Sequence, residues 1–91
     1  MQQRIFKYLL DQGEQVINMP CGSTILSVDE QNDEIVLYAM VNPDVNPVSA
    51  GRRILVVGTG WEFSLNVEKF IGTVKLEYGA LMFHVFDGGE I

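Results

Sequence analysis

Apolar and polar side chains alternate along most of the chain, with the period of two that is typical of β-strands. The pattern covers residues 5–10, 15–19, 24–30, 34–41, 52–57, 70–78 and 80–86. Turn-forming residues separate these segments, and one helical turn is predicted near residues 66–69. We therefore predict one all-β domain over residues 1–91, a small antiparallel β-sandwich or partly open barrel of about seven strands.

The segment 34–41 is the strongest candidate for a core strand. Positions 36, 38 and 40 and positions 35, 37, 39 and 41 are apolar, so both faces of the strand are apolar. The polar residues 31–33 predict a hairpin that joins it to segment 24–30. Residues 42–51 are expected to form a long loop, and residues 87–91 a loose tail.

Composition narrows the possible partners. Hydrophobic residues make up 47% of the chain, charged residues 20%, and the net charge is −6. An acidic chain is poorly suited to bind nucleic acid, which is held by cationic contacts to phosphate. Ile35–Val41, the longest apolar run, is far shorter than the ~20 residues of a membrane-spanning helix. With a lone Cys21 and no signal-like N-terminus, the expected location is the cytoplasm.

The sequence offers little catalytic chemistry. One cysteine, Cys21, and one histidine, His84, are the only residues of their kinds. A structural zinc site needs four ligands, usually in paired short spacings, so no metal or other cofactor is expected. A nucleophile also needs a base and an orienting group, and we expect His84 to bond its neighbours on a half-buried strand. The prediction is that the protein is not an enzyme.

Arg52, Arg53 and Trp61 are the most suggestive candidate site residues. The arginines open a strand that leaves through Gly58–Gly60 into the tryptophan, and Asp44 lies in the loop before that strand. An arginine beside an aromatic plane can hold a phosphate and a stacked base, or anchor a protein partner. Neighbours on a strand point to opposite faces, so one arginine at most belongs to any one site. Alternatively, each arginine pairs with a surface carboxylate and Trp61 packs beneath the loop.

Several short stretches together resemble a family of short, uncharacterised bacteriophage and prophage proteins. They are Ile17–Pro20 with Gly22, Ile25–Val28, Leu37–Pro43, Arg52–Ile54, Gly58–Gly60, Phe70–Thr73 and Phe83–Asp87. The resemblance covers nearly the whole chain. It implies a phage accessory protein acting in the cytoplasm of a bacterial host, and it assigns no site residue.

Two functions are favoured at this point, ahead of an enzyme and of a virion or assembly component. The first is a binding protein that engages or inhibits a host protein used in defence. The second is an oligomer that sequesters a small nucleotide signal, with Arg52 or Arg53, Trp61 and the 42–51 loop as its clamp. In either case we expect a homo-oligomer, because a second copy would cover a free strand edge or an apolar face.

Overall fold

The computed structural model describes residues 3–42, 49–64 and 69–91. Within these ranges the strands are β1 (Arg4–Leu10), β2 (Gly13–Pro20), β3 (Thr24–Gln31), β4 (Glu34–Val41), β5 (Ser49–Gly58), β6 (Lys69–Leu76) and β7 (Leu81–Glu90). Every pairing is antiparallel, and the sheets have the orders β1-β4-β3 and β2-β5-β7-β6. The all-β prediction is confirmed, with two sheets and no closed barrel.

The core lies between the two sheets and follows the period-two pattern. Ile35, Leu37, Ala39 and Val41 of β4 belong to one buried cluster with apolar residues of the four-stranded sheet. Val36 points to the opposite face of β4 and is nevertheless fully buried. The prediction that β4 is a central strand buried on both faces is therefore confirmed.

The hairpin between β3 and β4 has the predicted polar turn. Gln31 pairs with Glu34, which leaves Asn32 and Asp33 as the two turn residues. Their φ angles are +53° and +61°. Two positive φ values in succession are the mark of a turn whose twist matches the flanking strands, and Asn and Asp tolerate that conformation better than most residues.

The structure of the C-terminal segment differs from the one expected from the sequence. A loose tail was expected over residues 87–91, but β7 continues to Glu90 and the Asp87 side chain is buried. The strand continues because it pairs with β5 as far as Arg52, with a register shift beside the two glycines. The last hydrogen bond joins the Ile91 N–H to the Gly51 carbonyl at 2.7 Å.

Two other boundaries differ from the expectation. β5 begins at Ser49, so the connection after β4 is shorter than residues 42–51, because β2 pairs with β5 as far as Pro20 opposite Ser49. Of the helical turn predicted near 66–69, residues 66–68 lie outside the described residues, and Lys69 begins β6 instead.

The two sheets approach most closely where β3 meets β6. A Cβ atom added at Gly72 of β6 would lie 3.0 Å from a methyl group of Val28 on β3. A β-bulge interrupts each of these strands, between Ile25 and Ser27 and between Phe70 and Gly72. Bulges bend a strand, and here they accompany the turn from one layer to the other. The opposite side of the sandwich has β1 and β2 as its edges.

Candidate functional site

Arg52 is held inside the sandwich by a carboxylate. Its Nε donates to Oδ1 of Asp87 at 2.9 Å, and its Nη2 donates to Oδ2 at 2.7 Å. Its Nη1 donates to the Ser23 carbonyl at 2.9 Å. The Arg52 and Asp87 side chains are only 15% and 8% exposed. The guanidinium thus fastens β5 and β7 to the segment before β3, which is a structural role.

The ion pair also determines the ionisation of Asp87. Burial by itself would raise the pKa of this carboxyl, because it disfavours the charged form. Hydrogen bonds from Arg52 and from the Gly89 N–H, and the positive charges of Arg52 and Lys69, act in the other direction. The net result is a pKa below the ordinary value for aspartate.

Arg53 points away from the core. Its Nε lies 3.4 Å from Oε1 of Glu14, and both side chains are well exposed. The stem of Arg53 lies beside Gly88, where an added Cβ would come within 3.0 Å of it. The two arginines therefore lie on different faces of the sheet. Arg53 pairs with a surface carboxylate, as one sequence interpretation proposed, whereas the carboxylate that binds Arg52 is buried.

Trp61 lies at the far end of β5. Its indole ring covers Gly58, where an added Cβ would lie 2.7 Å from the ring, and it meets Phe83 edge-on with 5.8 Å between ring centroids. The tryptophan is 48% exposed and forms one wall of a cleft of about 230 Å³. The other described residues that line it are Gly58, Thr59, Ala80, Leu81, Met82 and Phe83, and none of these has a basic side chain.

The structure does not bring the arginines and the tryptophan together. Arg52 and Gly58 are six residues apart on one strand, a distance of about 20 Å at ~3.3 Å per residue. Asp44, the fourth candidate, lies outside the described residues. Within one copy, Arg52 and Arg53 therefore do not lie beside the Trp61 ring, and a clamp shared between copies of an oligomer stays a prediction.

His84 bonds its neighbours, as the sequence suggested. Its Nε2 lies 2.8 Å from the hydroxyl of Thr59, and its Nδ1 lies 3.0 Å from the hydroxyl of Thr73. Both ring nitrogens are thus engaged by hydroxyls on the strands or turn beside β7. Cys21, in the turn between β2 and β3, is not among the hydrogen-bond partners of His84.

A polar cleft of about 790 Å³ separates the β3–β4 turn from the 3-10 turn of residues 77–79. Oδ1 of Asp33 accepts a 2.7 Å hydrogen bond from the Glu77 N–H, which links the two turns. Glu77 and Tyr78 have φ angles of +49° and +56°, and Tyr78 is fully exposed. Nothing in the residue types at 77 and 78 signals a left-handed conformation, so sequence analysis missed it.

The outer face of the three-stranded sheet carries exposed apolar side chains. Ile5 is 62% exposed and Leu9 61% exposed, and their partners on β4 are Met40 and Val36. Tyr38 lies between them and is half-buried. We call Ile5, Leu9, Tyr38 and Met40 the apolar face. The sequence indicates this apolar face, because β1 has apolar residues on both of its alternating sets of positions.

Lys7 is the one charged side chain of β1 on this face, and it is turned across the sheet. Its Nζ donates to Oε1 of Gln31 on β3 at 2.8 Å. Because β4 lies between β1 and β3, this bond crosses β4. Its path explains why Val36 is fully buried on a face with no second layer among the described residues. The cation therefore spans the apolar face instead of projecting from the β1 edge.

Comparisons with curated proteins and with solved structures found no match. No helix in the described part of the chain has the length and hydropathy to cross a membrane. A family model does match, over residues 1–90. The chain belongs to the family described as a domain of unknown function, DUF7352.

Proposed function

We propose that the protein acts by binding another protein through the apolar face, without bond-making chemistry of its own. The resemblance to short phage and prophage proteins supports a phage accessory protein in the bacterial cytoplasm. Its partner would then be a host protein, with a defence protein whose action it blocks as the specific case. The observation that carries the proposal is the exposure of Ile5 and Leu9 on one ordered sheet face.

The apolar face has the chemistry of a protein-binding surface. Fully burying a large aliphatic side chain contributes about 1.5–3 kcal/mol, so covering the exposed parts of Ile5 and Leu9 would contribute roughly 1–2 kcal/mol each. Tyr38 adds an aromatic ring with a hydroxyl, a residue type enriched at protein interfaces. Lys7 and Asp29 flank these residues with opposite charges. An apolar centre with a polar rim is typical of a specific interface.

The rest of the surface suits a soluble binding protein more than a nucleic-acid binder. The chain carries twelve acidic residues against six basic ones. One basic side chain, Arg52, is engaged inside the molecule, and another, Arg53, faces Glu14. A cationic tract able to follow a phosphate backbone is therefore not supported by these residues.

The test is capture of a host protein by a tagged chain, followed by reconstitution with that protein in purified form. Ile5→Lys/Met40→Lys places two charges on the apolar face. The matched control is Phe70→Lys, which alters a side chain of similar exposure, 53%, on the other sheet. We expect wild type and Phe70→Lys to bind the purified partner equally, and the double variant to bind at least ~10-fold more weakly, which is ~1.4 kcal/mol.

Two results would refute this proposal. One is the failure of gentle, low-salt capture to retain any host protein in a stoichiometric amount. The other is a purified partner that binds the double variant as tightly as wild type but loses affinity for Phe70→Lys. Circular dichroism and the unfolding midpoint of each variant confirm that altered binding is not a result of unfolding.

A further inference from the structure

One side of the sandwich is left open. β3 and β6 are in contact along one side, as Gly72 beside Val28 shows. The opposite edges are β1 of the three-stranded sheet and β2 of the four-stranded sheet. Only Asp11 and Gln12 separate β1 from β2. Two strand edges that pair with nothing in the described chain are therefore adjacent at the end where β1 leads into β2.

Inward-pointing side chains near these edges are incompletely buried. Phe6, Tyr8 and Ile17 pack against the core cluster but are only partly buried, whereas Leu37 and Ile54 are fully buried. The rings of Phe6 and Tyr8 lie 6.5 Å apart. Val28 of β3 and Ile71 of β6 are partly buried as well, so partial burial is common to the edge strands, and three of the five such residues lie on β1 and β2.

β1 carries two charged side chains, Arg4 and Lys7, but it has no bulge or proline to protect its free edge. Natural edge strands are interrupted by bulges or proline, or carry charged side chains that discourage pairing. β1 pairs with β4 over seven residues without a register shift and contains neither proline nor glycine. Its central charge, Lys7, is turned across the sheet toward Gln31. By contrast, β3 has a bulge and β2 ends in Pro20.

We propose that two copies of the chain pair through β1, antiparallel, about a two-fold axis perpendicular to the sheet. The pairing gives a continuous six-stranded sheet and brings Phe6, Tyr8 and Ile17 of the two copies together. It also places the two apolar faces side by side on one surface. The occupant of the open side is thus a second copy of this chain.

Charge selects the register. An axis through Lys7 would place that lysine opposite its own counterpart, and like charges directly opposite destabilise a sheet. An axis through Tyr8 places Lys7 opposite Leu9 of the second copy and Ile5 opposite Asp11. Arg4 then lies one position from the second copy's Asp11, with opposite charge. We therefore place Tyr8 on the axis.

The size of the contact sets its strength. The seven residues of β1 span about 23 Å along the contact. The two layers lie about 10 Å apart and, with their own thickness, measure roughly 20 Å across. Each copy therefore buries on the order of 500 Å² of surface. A standard specific interface buries about 800 Å² per partner. The dimer is therefore expected to be reversible, with a dissociation constant in the micromolar range.

Sedimentation velocity from about 1 μM to about 1 mM tests the dimer, since that range spans weak specific association. Leu9→Lys puts a cation opposite Lys7 of the second copy and should raise the dissociation constant at least ~10-fold. Leu26→Lys, the same change at an exposed leucine of β3, should leave it unchanged. Leu9→Glu should dimerise at least ~10-fold more tightly than Leu9→Lys, because it faces a cation instead.

Hydrogen exchange gives a second readout that needs no substitution. Amides of β1 should gain protection as the concentration rises, while those of β6 should not. A wild-type chain that stays monomeric throughout, equal weakening by Leu9→Lys and Leu26→Lys, or concentration-dependent protection at β6 would each overturn the dimer. So would a monomer whose β1 amides are protected only by an added extended peptide.

This outcome is independent of the proposed binding function. Ile5→Lys would face Asp11 of the second copy, and Met40 lies on β4, one strand in from the edge. The variant used to test the apolar face should therefore still dimerise. A monomeric protein that captures its partner refutes only the dimer, and a dimer that captures nothing refutes only the binding function.

Discussion

The Arg52–Asp87 pair yields the sharpest stability prediction. Replacing Asp87 with alanine removes the acceptors of two guanidinium bonds, at 2.9 and 2.7 Å, and of the Gly89 N–H bond at 2.8 Å. Arg52 keeps its bond to the Ser23 carbonyl, but its largely buried guanidinium loses the carboxylate that accepts from Nε and Nη2. Removing one partner of a buried ion pair costs about 3–5 kcal/mol.

That loss is large for a chain of this size. At roughly 0.05–0.15 kcal/mol per residue, 91 residues give a free energy of unfolding of about 5–14 kcal/mol. Asp87→Ala should therefore remove about a fifth of the stability or more. At about 4–8 °C per kcal/mol, a loss of ~3 kcal/mol lowers Tm by roughly 12–24 °C.

Urea denaturation of four proteins tests the reasoning. Wild type, Asp87→Ala and the apolar replacement Arg52→Met/Asp87→Leu are compared with Arg53→Ala. In Arg53→Ala, loss of the exposed ion pair should lower the free energy of unfolding by less than about 1 kcal/mol, apart from any loss due to the packing of the aliphatic part of Arg53. The double replacement should lose less than Asp87→Ala, since the buried guanidinium is removed together with the carboxylate. If Asp87→Ala falls within ~1 kcal/mol of Arg53→Ala, the pair is not a buried structural link.

The remaining predictions concern pH, packing, backbone strain and ligands. The folded-state pKa of Asp87 lies below 3.8, so its contribution to stability is present above that pH and is lost as the pH falls through the folded value. The urea midpoint of wild type should therefore fall with pH in this range, and the midpoint of Asp87→Asn should lack this contribution to the fall. Gly58→Ala should cost about 1–3 kcal/mol by displacing Trp61, with red-shifted tryptophan emission, and should cost much less in a Trp61→Ala background. Tyr78→Asn should raise the free energy of unfolding by about 0.5–1 kcal/mol, since φ is +56° and the side chain is fully exposed; a loss would contradict the strain argument. Cyclic nucleotides should produce no thermal shift, because Arg53 is distant from Trp61; a shift near ~2.7 kcal/mol at 100 times the dissociation constant would restore the nucleotide hypothesis.

The alternation of apolar and polar residues along the chain was enough to predict most of the fold. The two apolar sets of β4 predict a strand covered on both faces, and Val36 confirms it, because side-chain direction follows from strand geometry alone. The hairpin at Asn32 and Asp33 was also predictable, since these residue types tolerate positive φ. Both inferences depend only on local chemistry.

The failures depend on contacts between distant positions. Asp87 beside two glycines has the composition of a tail, yet it falls on the same alternating set as the buried Phe83 and Val85. Its partner Arg52 lies 35 positions earlier, and no local pattern predicts that pairing. The grouping of Arg52 with Trp61 in one candidate site did not take account of strand length, and the nucleotide-binding hypothesis itself stays a prediction. Nine positions separate Arg52 from Trp61, but most of them lie along an extended strand.

Both ends of β3 are joined to the four-stranded sheet by polar bonds, through Ser23 at its start and Asp33 beyond its end. Among the described residues, β1 has such bonds only beyond its C-terminal end, where the Asp11 backbone bonds the Gln15 side chain of β2, and none at its N-terminal end. Fluctuations that part the two layers should therefore start at the β1 margin, at a free energy well below that of global unfolding. Exchange of β1 with a strand of an incoming chain is consequently easiest at this margin. The two layers would stay joined where β3 contacts β6.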